Sequence, residues 1–176
     1  NAGSSFTNTI FSDGGDNSIY SGSSPFIGSF KPEEELSSFD GEPLPGTWTL
    51  VLDNKSSDAG TVNWSILANV DNTTPSLPTS YGTEYKGSQI TSSLGVNVGI
   101  IEITDSGTLT DLETEISVKG ETTNFLQWVS VVLISPNGTP VYLFGGDQIL
   151  SAGLNQYSGP DMYKTIFDDE SSRQLS

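Results

Sequence analysis

The sequence contains no cysteine and no histidine. The first absence rules out disulfide frameworks, thiolate nucleophiles and cysteine-based metal centres. The second removes the usual general base, and with it the Ser-His-Asp arrangement. Positive charge is scarce: Lys and Arg together number 6, and Arg173 is the sole arginine, so phosphate clamps are not expected. The longest apolar run, "WVSVVLI" at 128–134, falls far short of the roughly 20 residues a membrane-spanning helix needs. The chain begins at Asn1 rather than Met, which fits either a mature product or an excised piece, from which any signal peptide would already be gone.

What the chain has in quantity is acid. Asp and Glu number 22 among 176 residues, for a formal net charge of −16 and a pI near 4.1. Such a charge repels nucleic acid and anionic lipid, so neither is an expected partner, nor is membrane insertion. It suits either plain solubility or binding of divalent cations. Paired carboxylates can hydrolyse glycosides, but no pair stands out beside an aromatic cleft. The expectation is a protein without enzymatic activity.

Apolar residues recur with the period of strands. In "TWTLVLD", Trp48, Leu50 and Leu52 share one face; in "TVNWSILA", Val62, Trp64 and Ile66 do; in "LETEISV", Leu112, Ile116 and Val118. The run Val129–Ile134 reads as a strand buried on both faces. The turn "SPNGT" follows, and then the partner strand "PVYLF". Asn137-Gly138 is a hairpin signal because both residues accept positive φ at little cost. No segment shows helical apolar spacing. Strands separated by Gly, Pro, Asn and Asp clusters predict an all-β fold, an antiparallel β-sandwich of jelly-roll type.

One phrase occurs twice. "TIFSD", Thr9 to Asp13, returns as "TIFDD", Thr165 to Asp169. Between the copies, "DNTTPSLPTS" at 71–80 is polar, carries two prolines and reads as a linker spanning up to roughly 30 Å at about 3 Å per residue. It divides the chain into a short piece, 1–70, and a longer one, 81–176.

These residues carry a resemblance. The short piece, through "SSPFIGSFKPEEELSSFDGEPLPGTWTLVLDNKSSDAGTVNWSILA", resembles the C-terminal half of a P domain (P/Homo B domain), the β-sandwich attached to proprotein convertases and found in many secreted bacterial proteins. The longer piece, through "IEITDSGTLTDLETEISVKG", "VVLISPNGTPVYLF" and "YKTIFDDE", resembles the N-terminal half. The family runs these blocks in the opposite order, so the chain resembles a P domain cut at "TIF-D", each half keeping a copy. A half-sandwich exposes an apolar face and an unpaired edge. Two closures answer this: a circularly permuted monomer, or completion by a neighbouring chain. The second is preferred. It makes a head-to-tail contact, which builds a filament unless a ring closes, with Thr9, Ile10 and Phe11 meeting Thr165, Ile166 and Phe167 at the seam.

P domains commonly bind calcium, so the resemblance implies Ca2+ near "FDDE" (Asp168, Asp169, Glu170) and in the loop of Asp53 and Asp58. Asp13 and Asp16 in "DGGD" form a similar group, since hard cations want six to eight oxygens. Solvated loop charge is the other reading of each cluster. One family position departs: where P domains carry Asp-Leu before the buried strand, this chain has Trp128-Val129. Sequons at Asn54, Asn63, Asn72 and Asn137 are candidates for covalent glycans, although the count is close to chance for eleven Asn in a Ser/Thr-rich chain. Asn54 and Asn137 fall in predicted loops, Asn72 in the linker, and Asn63 should point outward if Trp64 points inward. Trp48 and Trp64 read as core, Phe26 and Phe30 as anchors of a long loop, and Trp128 as core or seam. The expected function is a structural subunit of an extracellular fibre or cell-surface array. The alternative is a calcium-binding accessory module of a secreted subtilisin-like protease.

Overall fold

A computed structural model of the chain describes residues 9–12, 18, 28–71, 83–120, 125–145 and 161–168. The described residues hold eleven strands: β1 (Thr9–Ser12), β2 (Gly28–Phe30), β3 (Gly46–Asn54), β4 (Gly60–Asp71), β5 (Thr83–Lys86), β6 (Ile90–Ser92), β7 (Gly95–Ile103), β8 (Thr108–Gly120), β9 (Val129–Ile134), β10 (Pro140–Phe144) and β11 (Asp161–Asp168). Two short 3-10 turns, Leu36–Phe39 and Phe125–Trp128, are their helical content.

The strands form two sheets. The larger runs β1-β2-β11-β8-β4-β5, with β6 also alongside β4 and β1 pairing directly with β11. The smaller runs β10-β9-β3-β7. Alternation explains why they stack: β3 turns Trp48, Leu50 and Leu52 inward, while β4 and β8 turn in Val62, Ile66 and Ile116, and all join one apolar core. Phe39 closes the core edge-on against Trp48, ring centroids 5.2 Å apart and planes at 80°. The Trp48 indole N–H still finds a partner, donating to the Leu44 carbonyl at 3.0 Å.

The two pieces interleave. β3, from the short piece, lies between β7 and β9 of the long one, and β4 lies between β8 and β5. Within one chain the ladders of both central strands are satisfied on both sides.

Several local features follow from residue chemistry. The β9–β10 hairpin turns at Ser135–Thr139, where Gly138 takes φ +89° and its N–H donates to the Ser135 carbonyl at 2.9 Å. Trp64 lies in a slot that only glycines leave open. A Cβ at Gly87 would stand 2.1 Å from the indole, and one at Gly99 2.7 Å from it. The indole N–H donates to the Ser88 carbonyl at 3.1 Å. Phe30 is buried as expected; Phe26 lies outside the described residues.

One expectation is corrected. β9 is fully covered on one face only: Val129, Val131 and Leu133 are buried, whereas on the other face Ser130 is buried but Val132 and Ile134 are half-buried, because no further layer of described residues covers that sheet. The fold is otherwise the expected all-β sandwich of antiparallel sheets, with an exception at one edge of the larger sheet. β1 runs parallel to both β11 and β2. Two copies of one phrase brought into register with equivalent residues opposed must run in the same direction.

Candidate functional site

The two copies of the phrase meet. β11 pairs antiparallel with β8 through Thr165↔Ile116, Ile166↔Glu115 and Phe167↔Thr114. On its other side β1 pairs parallel with β11, in the register Thr9↔Thr165, Ile10↔Ile166 and Ser12↔Asp168. β2 then pairs with β1, setting Phe11 opposite Phe30. Thr9, Ile10, Thr165 and Ile166 thus occupy the equivalent positions of adjacent strands. β8 offers one place for such a strand, and β11 takes it. The other copy, β1, lies against β11 and β2. No protein-family model, curated protein or solved structure was found to match this chain.

The acidic clusters do not converge among the described residues. Asp168 ends β11; Asp13, Asp16, Asp169 and Glu170 lie outside the described residues. Asp53 sits on the outward face of β3, where its Oδ2 is 2.5 Å from Lys55 Nζ and its Oδ1 is buried without a hydrogen-bond partner. Asp58 contributes its backbone carbonyl to Asn54 instead. Among the described residues, no three acidic side chains are grouped as metal ligands.

The sequons separate by burial. Asn137 is exposed at the hairpin tip, and Asn63 is exposed on β4 as its parity requires, accepting from Gln89 Nε2 at 2.8 Å. Asn72 lies outside the described residues. Asn54 is corrected: it is the last residue of β3, at inward parity, with no exposed surface. Its amide nitrogen donates to the Asp58 carbonyl (2.8 Å) and Ser92 Oγ (3.0 Å), and its oxygen accepts from the Ser56 N–H (2.8 Å). Both amide hydrogens are committed, and the folded chain leaves no space there for a sugar. Asn54 is a polar plug joining β3, its own loop and β6.

Two further features escape sequence reasoning. Tyr85 on β5 donates to Asp105 Oδ2 at 2.8 Å; burial, then that bond and the Asp105 charge, push its phenol up to about 12. The outward face of the smaller sheet is apolar. Val96, Val98 and Ile100 of β7 are 67%, 54% and 46% exposed, next to half-buried Val51 of β3 and Val132 and Ile134 of β9. A signal for this was present: "GVNVGIIEI" carries apolar residues at both parities, as a strand with two apolar faces does. Trp128, 44% exposed, stands one residue before β9 and outside the core.

Proposed function

We propose that the chain is a non-enzymatic structural subunit of an extracellular fibre or cell-surface array, polymerising head-to-tail through its repeated phrase. The observation that carries this is the parallel, in-register pairing of β1 with β11. The ladder that β1 makes with β11 is the same whether that β11 belongs to its own chain or to the next. Contacts within and between chains are then of equal quality, and local concentration decides between them. A tethered strand competes at an effective concentration on the order of millimolar, so exchange is favoured where chains are crowded, as at a surface. One chain's β1 on the next chain's β11 leaves that next chain's own β1 free to continue. The contact is heterologous and does not terminate at a dimer.

The motif resemblance to P domains, with the halves exchanged, supports the same reading and the extracellular placement, since those modules are secreted. Exchange of the whole short piece is the larger form of the same event: β3 and β4 make with 83–168 the ladders that a neighbour's β3 and β4 would make. No described feature favours the protease-accessory reading.

The test uses the absence of cysteine. A chain carrying Ile10→Cys and Ile166→Cys, oxidised at high concentration, is expected to give a ladder of covalent oligomers on a non-reducing gel. Electron microscopy of the unmodified protein should show filaments. Cross-links confined to monomers, with a single 18.7 kDa species in light scattering at every concentration, would overturn the proposal.

A further inference from the structure

We infer that the place beside β8 has two interchangeable occupants within one chain: β1 replaces the end of β11 there, and β11 is then the strand set loose. This goes beyond the reading above and holds for a single chain. On one side β8 is flanked by β4 along 60–71; its other side is taken by β11. The phrase in that place is Thr165–Asp168. β1 carries Thr9–Ser12 one strand further out, parallel and without offset, Thr9 level with Thr165 and Ile10 with Ile166. Because β1 runs with β11, it runs antiparallel to β8, the direction the place requires. A move of one strand spacing, about 4.8 Å, needs no reversal and no shift along the strand. It puts each residue of β1 where its copy stood.

Two details of the ladders mark the phrase as the exchangeable part. The register of β11 on β8 slips before the phrase: the three steps from Met162 to Thr165 answer two on β8, from Val118 to Ile116. This bulge separates Asp161 and Met162, opposite Lys119 and Val118, from the phrase that follows. The ladder is locally broken at a bulge, so the phrase can peel away without undoing the pairs before it. β2 is already indifferent to which copy it meets. Phe30 pairs with Phe11 and also with Phe167, parallel in both cases.

One residue distinguishes the two occupants. Thr-Ile-Phe ends in Ser12 on β1 and in Asp168 on β11. Phe167 stands opposite Thr114, so the next step of the same register sets Asp168 opposite Glu113. Glu113 belongs to a row with Asp111 and Glu115, the half-buried alternate residues of β8 that stay out of the core. Like charges at facing positions destabilise a sheet, so β11 carries a penalty in this place that β1, with Ser12, does not. β11 is compensated beyond the bulge, where Asp161 faces Lys119. Near-equal alternatives are what a two-state element needs. The exchange decides which of the two strands is left at the edge of the sheet.

The test is disulfide trapping in the full chain, which has no cysteine of its own. Ile10 is two strands from Glu115, with Ile166 between them. Two spacings amount to about 9.6 Å, beyond the roughly 7 Å between Cα atoms that a disulfide tolerates. Ile10→Cys/Glu115→Cys therefore closes only when β1 stands beside β8, whereas Ile166→Cys/Glu115→Cys reports β11 there. At low protein concentration in a glutathione buffer, the first pair is expected to close within monomers on a non-reducing gel. Asp168→Ser makes the two phrases alike, and Ser12→Asp charges β1. Each should lower the yield of the first pair relative to the second by roughly 1.5- to 5-fold, the range for one facing charge pair. Should the second pair fail to close, Ser12→Cys/Glu113→Cys replaces the first, with Asp168→Cys/Glu113→Cys as its control. A first pair that stays open in monomers while its control closes, or whose closure neither charge change alters, would overturn the inference. The Ile10→Cys/Ile166→Cys ladder reads contacts between chains and is decided separately.

Discussion

Replacing Asn54 with Ala tests whether this sequon residue is a structural plug or a glycan acceptor. The side chain is wholly buried and makes three hydrogen bonds. Truncation strands the Asp58 carbonyl, the Ser92 hydroxyl and the Ser56 N–H. Each hydrogen bond lost costs about 1 kcal/mol, so the expected loss is about 3 kcal/mol before any cavity effect. For a chain of this length, each kcal/mol corresponds to about 2–4 °C, which puts the fall in Tm at roughly 6–12 °C. Calorimetry measures it, with Asn63→Ala as control. That residue is exposed, carries a sequon as well and should change Tm by no more than a degree or two. Ser92→Ala, which removes one of the three bonds, should cost about a third as much as Asn54→Ala. A loss below 1 kcal/mol for Asn54→Ala, or a sugar found on Asn54 in folded protein from a glycosylating host, would refute the reasoning.

Two other outcomes are expected. The Tyr85 phenol titrates higher when folded than the ordinary value of 10.0, so its contribution to stability is complete below pH 10 and is lost as pH rises from 10 towards about 12. Tyr85→Phe should therefore flatten the pH dependence of Tm in that window; an identical profile for the two proteins would contradict the Tyr85–Asp105 pairing. A fragment holding only residues 1–70 or only 81–176 should not unfold cooperatively, because β3 and β4 are interior strands whose neighbours lie in the other piece. A sharp calorimetric transition from either solitary fragment would show that the halves do not need each other.

The strands and their buried faces were legible because a half-buried strand has a period of two and the core takes every second residue. Trp48, Leu50 and Leu52 of β3 and Val62, Trp64 and Ile66 of β4 point where the alternation places them. The Asn-Gly hairpin was legible because positive φ is a local requirement. The same logic overreached at β9, whose continuous apolar run implied two covered faces. An apolar run records that both faces avoid charge, and does not record what covers them. Asn54 was misread for a related reason. A sequon is a three-residue pattern, whereas burial depends on parity within a strand whose end the pattern does not mark.

Strand period, turn positions, the acidic charge and the repetition of "TIF" are local properties of the polypeptide, and the sequence alone determined them. Pairing partners are not local. A parallel ladder between residues more than 150 positions apart, the interleaving of the two pieces and the bare outer face of the smaller sheet depend on which apolar surfaces win the competition for one another. That competition is decided only when the whole chain is packed.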